Sequence, residues 1–136
     1  MNCAVFDTNV VVSGFLSPVG PPGRIVEWVR NGSVQAVMDD RIAAEYAEVL
    51  KRPLFLLPVT EVNLVLDAIR SRAFWVEVVA GQMVCGLPDA DDAPFLECAR
   101  AAGVPLVTGN VRHFPKSVAG DVKVLTPAQF IATFER

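Results

Sequence analysis

The sequence predicts an α/β fold, a three-layer sandwich whose mostly parallel central sheet carries helices on both faces. Three observations lead there. Short continuous apolar runs such as Val34 to Met38 suit strands covered on both sides, as parallel strands are. These runs alternate with longer stretches whose apolar residues recur three and four apart. The 136 residues also match the usual size of one domain, so residues 1–136 are expected to form one compact unit.

The elements follow in order. Met1 to Phe6 reads as a buried strand and Thr8 to Phe15 as a helix, followed by a Pro/Gly loop. Arg24 to Arg30 reads as a helix with Ile25, Trp28 and Val29 on one face and Asn31-Gly32 as its stop. After the strand Val34 to Met38, Asp39 or Asp40 caps a helix that reaches about Lys51 and ends before Pro53. Thr60 is expected to cap a helix running to Arg72, and the aromatic, β-branched stretch Phe74 to Val79 to form a strand. Asp89 to Asp92 open a helix that stops at Gly103. Val104 to Val107 and Val122 to Leu125 complete the strands, and Thr126-Pro127 begins a terminal helix in the favoured cap arrangement.

Composition narrows the function. Hydrophobic residues make up 52% and charged ones 20%, which excludes intrinsic disorder. The net charge of −3 argues against a basic coat for nucleic acid but leaves room for a local basic rim. Cys3, Cys85 and Cys98 are an odd number in apolar surroundings and read as reduced core cysteines. The longest uncharged run, Thr8 to Gly23, ends in prolines and glycines that cannot continue a helix across a bilayer. The N-terminus has no basic region ahead of its apolar stretch, so a cytoplasmic protein is expected. Phe55-Leu56-Leu57 and Phe74-Trp75 look exposed and suggest a homodimer or a groove for a protein partner.

Sheets of this class carry their sites beyond the carboxyl ends of the strands. Polar residues that no core requires stand at those places. Asp7 follows the first strand, where it can cap the next helix or ligate a metal. Glu45 lies at the edge of the apolar stripe of its helix, whereas Glu48 faces well away and reads as a solvated acid. Asp89, Asp91 and Asp92 crowd one helix start; the helix dipole favours acids there, but one cap suffices and the three repel one another. Asp92 shares a face with Phe95, Leu96 and Ala99, and a bound cation would account for the crowding. Thr108-Gly109-Asn110 follows the strand ending at Val107, either as a plain turn or as a source of a hydroxyl and an amide beside Asp7.

Four blocks together give the chain a specific likeness: Val5-Phe6-Asp7-Thr8-Asn9, Glu45, Pro88-Asp89-Ala90-Asp91-Asp92, and Val107-Thr108-Gly109-Asn110 leading to His113-Phe114. Over nearly its whole length the chain resembles the PIN-domain ribonucleases, most closely the VapC-type toxins of toxin–antitoxin pairs and their relatives. The resemblance implies Mg²⁺- or Mn²⁺-dependent cleavage of single-stranded RNA, with a cognate antitoxin as a possible partner. It places Asp7, Glu45 and Asp92 at the family's first three acidic positions, as metal ligands and catalytic groups. Asn110 falls where many members carry a fourth acid, a departure that puts a second metal in doubt. Asp89 and Asp91 are secondary candidates, and Thr8, Asn9 and Thr108 are candidates for orienting ligands or binding substrate.

The residue chemistry agrees with that implication, since hard carboxylate oxygens suit Mg²⁺ and Mn²⁺. An acidic site needs cations nearby to hold a phosphate chain, and Arg24, Lys51, Arg52, Arg112 and Lys116 are the candidates. His113 is the sole histidine, which excludes a catalytic histidine pair and a zinc framework and leaves it structural or substrate-facing. No serine sits in a nucleophile elbow and no P-loop is present. A receiver-like or phosphotransfer domain fits less well, because no second acid follows Asp7 two residues on. A non-catalytic relative that binds RNA or a protein on the same scaffold is the main alternative.

Overall fold

The computed structural model describes residues 2–134. Five strands form one parallel sheet in the order β3-β2-β1-β4-β5, where β1 is Cys3–Phe6, β2 Gln35–Met38, β3 Phe74–Trp75, β4 Leu106–Val107 and β5 Val124–Leu125. The chain first builds outward from β1 to β3, then returns to lay β4 on the other side of β1. The strand order therefore reverses between β1 and β4, and sheets of this kind bind ligands beyond the carboxyl ends of the strands at such a point.

Helices cover both faces, as the alternation of elements requires. Helices α1 (Thr8–Leu16), α2 (Pro21–Asn31), α3 (Asp40–Leu50), α4 (Val59–Arg72) and α7 (Pro127–Phe134) pack against one another over one face. On the other, α5 (Ala93–Ala102) packs across β1, β2 and β4, and the single turn α6 (Lys116–Ala119) follows β4. Phe6, Tyr46, Phe95 and Leu96 are among the fully enclosed side chains between the layers. Phe130 of α7 meets Phe6 edge-on at 5.6 Å, and Phe134 stacks on Trp28 at 4.4 Å. Among the described residues no helix is long and apolar enough to cross a membrane.

Several expected boundaries move for identifiable reasons. Helix α2 begins at Pro21 rather than Arg24, because Pro21 and Pro22 occupy its first turn, where a missing N–H costs nothing. Helix α4 begins at Val59 with Pro58 in the cap position, so Thr60 lies inside the first turn and caps nothing. The strand expected over Phe74 to Val79 shrinks to Phe74–Trp75, since its partner β2 ends at Met38, whose carbonyl takes one last bond from Val76. Pro105 has no N–H for the ladder, and the expected strand Val104–Val107 reduces to its last two residues. Met1 lies outside the described residues. The stops at Gly32 and Gly103 hold, both with left-handed backbone at φ 88° and 68°. Of the cysteines only Cys98 is a core residue; Cys3 is half-buried and Cys85 is exposed. Burial, then the neighbouring Asp39, pushes the Cys98 thiol up to about 12, so it stays a protonated packing group.

Two glycines allow close approach here, Gly14 of α1 against α2 and Gly23 of α2 against the loop that joins the two helices. A Cβ on Gly23 would lie 2.1 Å from the Pro18 carbonyl oxygen, and one on Gly14 2.4 Å from Val26 Cγ2. Backbone cannot step aside as a side chain can. Gly23→Ala is therefore expected to destabilise the protein by about 1–3 kcal/mol in urea unfolding, as overpacked cores do; an unchanged midpoint would mean the Pro18 loop yields freely.

Candidate active site

The carboxyl ends of β1 and β4 lie side by side and bring together several of the acids and hydroxyls singled out above. Asp7 follows β1 directly and occupies the cap position of α1, yet its carboxylate makes no capping bond. It is 5% exposed and accepts a hydrogen bond of 2.8 Å from the hydroxyl of Thr108, itself fully buried just beyond β4. The Asp7 amide donates to the Val107 carbonyl at 2.9 Å. Asn9 completes the tie: its Oδ1 accepts from the Gly109 amide at 3.0 Å and its Nδ2 approaches Asp7 Oδ2 at 3.4 Å. A carboxylate serving only as a helix cap has no need of this second strand end.

Glu45 is half-buried on α3, at the edge of the apolar stripe as its sequence position required. The hydroxyl of Thr8 donates to it, and one residue on, the Tyr46 hydroxyl donates to the carbonyl of Phe6. Helix α3 is thus moored to the end of β1 beside Asp7. Glu48 is exposed and pairs with Arg52 at 2.8 Å, a solvated acid as expected.

The three aspartates divide their work. Asp89 caps a short 3₁₀ turn over Ala90–Asp92 by accepting the Asp91 amide at 2.9 Å, and α5 starts only after it. Asp91 points to solvent. Asp92 makes no cap bond; its side chain is 15% exposed and meets His113 Nδ1 at 3.0 Å. His113, on the 3₁₀ turn after β4, is therefore a partner of a candidate ligand, a contact that no local sequence pattern signals. Asn110 stands at the same strand exit; its amide N–H donates to Thr108 Oγ1 at 3.0 Å. Among the described residues its side chain takes no protein partner.

The electrostatics match a cluster of part-buried carboxylates that His113 opposes only in part. Burial raises the pKa of Asp7 above its ordinary value, against the pull of the Thr108 hydroxyl and neighbouring amides. Asp92 is pushed up to about 6 by burial, then by the negative charges of Asp7 and Asp89, with His113 opposing. Asp7 and Glu45 both raise the Tyr46 hydroxyl after its burial, so the two carboxylates share one neighbourhood. The convergence is nonetheless pairwise: among the described residues no three His, Cys, Asp or Glu side chains are grouped so as to hold a metal ion unaided. Each carboxylate is turned to its own partner, Thr108, Thr8 or His113.

The candidate cations scatter. Arg112 and Lys116 are exposed on the segment that follows β4, at the site's edge of the sheet. Arg24 lies 5.1 Å over the ring of Trp28. Lys51 and Arg52 sit past the end of α3, about 9 Å along its axis beyond Glu45. One charged residue that the sequence reading passed over is Glu97, buried on α5 and bound to Arg41 at 2.7 Å. Its setting, Phe95-Leu96-Glu97-Cys98-Ala99, offers one signal: a lone acid inside an apolar run.

A carboxyl whose folded pKa exceeds its unfolded value costs stability wherever both states are ionised, and the cost fades as pH falls through the interval between them. For Asp92 that interval runs from about 6 down to 3.8. Asp92→Asn in chelator at pH 7.5 is expected to melt higher than the parent, by on the order of 1 kcal/mol after solvent screening. Its advantage should vanish when the scans are repeated near pH 4. A lower melting point at pH 7.5 would mean that the His113 bond outweighs the repulsion.

The protein-family comparison matches residues 3–112 to a model described as the PIN domain. No curated protein matches the chain. Among solved structures, a chain of the crystal structure of VapBC2 from Rickettsia felis, bound to a DNA fragment from their promoter, superposes with a TM-score of 0.57 at 14% identity, covering 91% of this chain and 98% of that one. At that identity the likeness is one of fold. The family model spans most of the chain and takes in Asp7, Glu45, Asp92 and Asn110; the chain belongs to the PIN-domain family, whose members are in general nucleases that use divalent metal ions.

Proposed function

We propose that this protein is a Mg²⁺- or Mn²⁺-dependent endoribonuclease acting on single-stranded RNA, and that it is the toxin of a toxin–antitoxin pair. The observation that carries the reading is Asp7, a buried carboxylate held by Thr108 across the strand-order reversal, with Asp92 close enough to feel its charge. That arrangement is costly for folding and sensible for cation binding.

The donor set fits such an ion. Mg²⁺ keeps several waters and takes one or two carboxylates plus substrate phosphates, so a closed cage of three acids is not needed. Asp7 and Asp92 would hold it. When bound, it supplies Lewis acidity to the phosphoryl oxygen, acidifies water and offsets charge on the leaving 3′ oxygen. Glu45, fixed by the Thr8 hydroxyl, would ligate the ion or orient the attacking water. Thr8, Asn9 and Thr108 hold these groups in place. Arg112 and Lys116 are the cations best placed to meet the RNA chain; Lys51 and Arg52 could meet it only further along its path.

The partner side of the proposal draws on the VapBC2 fold likeness and on exposed apolar surface: Leu56, Phe74 and Trp75 are exposed, while Phe55 and Leu57 are half-buried. A cognate antitoxin or a second copy of the chain would cover it, and a monomer by light scattering would count against the second copy. A silent scaffold that binds RNA or a protein is the second reading, favoured by Asn110 in place of an acid and by His113 on Asp92.

Two variants test the reading. Asp7→Asn is expected to reduce Mn²⁺-dependent cleavage of a single-stranded RNA to background while holding or raising the melting temperature, since it removes a buried carboxylate. Loss of cleavage together with unfolding would return Asp7 to a purely structural role. Asn110→Asp adds a charge beside the ion, so the Mn²⁺ concentration giving half-maximal cleavage should fall several-fold. An unchanged midpoint removes Asn110 from the site. In the silent-scaffold reading, Mn²⁺ shifts no melting curve in any of these proteins.

A further inference from the structure

Glu97 has no part in the mechanism above, yet it is among the most completely buried side chains in the molecule, at 1% exposure. Its carboxylate accepts from Arg41 Nη1 at 2.7 Å and from the backbone N–H of Val84 at 2.9 Å. Arg41 in turn holds Asp39, through Nε at 2.9 Å and Nη2 at 2.8 Å. Phe95, Leu96, Cys98 and Ala99 around Glu97 are all buried, so an apolar side chain would suit the position. Ion pairs of this kind are a poor source of stability, because desolvation offsets the attraction and an apolar replacement is often neutral. Burial alone does not account for Glu97.

Its partners do. Arg41 lies one helical turn before Glu45 on α3. Glu97 lies five residues after Asp92 on α5, and Val84 belongs to the segment that leads into Asp89–Asp92. One carboxylate thus ties together the helix that carries Glu45, the helix that follows Asp92, and the approach to the acidic turn. Both bonds have direction, which apolar packing lacks. We propose that Glu97 and Arg41 are a positioning pair that fixes the spacing between the Glu45 helix and the Asp92 turn. The consequence for metal binding rests on the ribonuclease reading; the structural part does not.

The test is the double variant Arg41→Met/Glu97→Gln, which removes both charges but leaves an aliphatic stem and an acceptor for the Val84 amide. In chelator it is expected to melt within a few degrees of the parent, because the Arg41 end of the pair is 40% exposed and removing both charges leaves no unpaired charge buried at position 97. Amide hydrogen exchange over residues 83–92 should rise about tenfold or more while the central strands stay protected. The Mn²⁺ dissociation constant from calorimetry should rise about 10- to 100-fold, the usual effect of losing an orienting partner. Unchanged exchange over 83–92 would overturn the proposal, as would faster exchange everywhere with a matching loss of stability. If the double variant does not fold, Glu97→Gln alone, which keeps Arg41 on Asp39, is read by the same criteria. A parent that binds no Mn²⁺ would sink the ribonuclease reading, and the exchange data would still decide the pair.

Discussion

The hydrogen bond from Thr108 to Asp7 is the constraint on which the rest of the site depends. It closes the gap between two strand ends that lie 101 residues apart in sequence and are brought together by the pairing of Val5 with Leu106 and Phe6 with Val107. Without that pairing Asp7 would be an ordinary residue before a helix. With it, a carboxylate sits buried where the sheet reverses its strand order, the place where α/β proteins build their sites. Asn9 repeats the tie through Gly109, where a Cβ would stand 3.3 Å from Asn9 Oδ1, so a small residue suits the turn.

The neighbouring acids are likewise held by dedicated partners. Thr8 holds Glu45, His113 holds Asp92, and Arg41 holds Glu97. Such dedicated partners restrain side chains that would otherwise swing to solvent, at the cost of placing several negative groups within reach of one another. Burial raises the pKa of both Asp7 and Asp92, and at Asp92 the charges of Asp7 and Asp89 add to it. Structural acids are normally arranged to lower their own energy; a cation entering the proposed site would offset the cost of this arrangement.

Much of this was legible in the chain because local rules coincide with global ones. The parallel sheet could be read from apolar runs such as Val34 to Met38, and the helix stops from Gly32 and Gly103. Asp7 and Thr108 stood out in the chain because each directly follows an apolar strand run, and the pairing of β1 with β4 sets them side by side. What was not legible depends on contacts distant in sequence. Nothing around His113 foretells Asp92, and Glu97 reads as an interruption until Arg41 and Val84 arrive from elsewhere in the fold. Phe74 to Val79 has the composition of a longer strand, but pairing length is set by β2, which ends first. The basic candidates were chosen by charge alone, and a helix axis separates Lys51 and Arg52 from the acids.

The central claim is that Asp7 and Asp92 form a cation site. Anomalous diffraction from crystals grown with Mn²⁺ tests it most directly. The account predicts a peak within about 2–2.3 Å of a carboxylate oxygen of each residue, the range for hard oxygen ligands, with Asp92 turned at least partly away from His113. No peak between them at saturating Mn²⁺, with the Asp92–His113 pair intact, would contradict it.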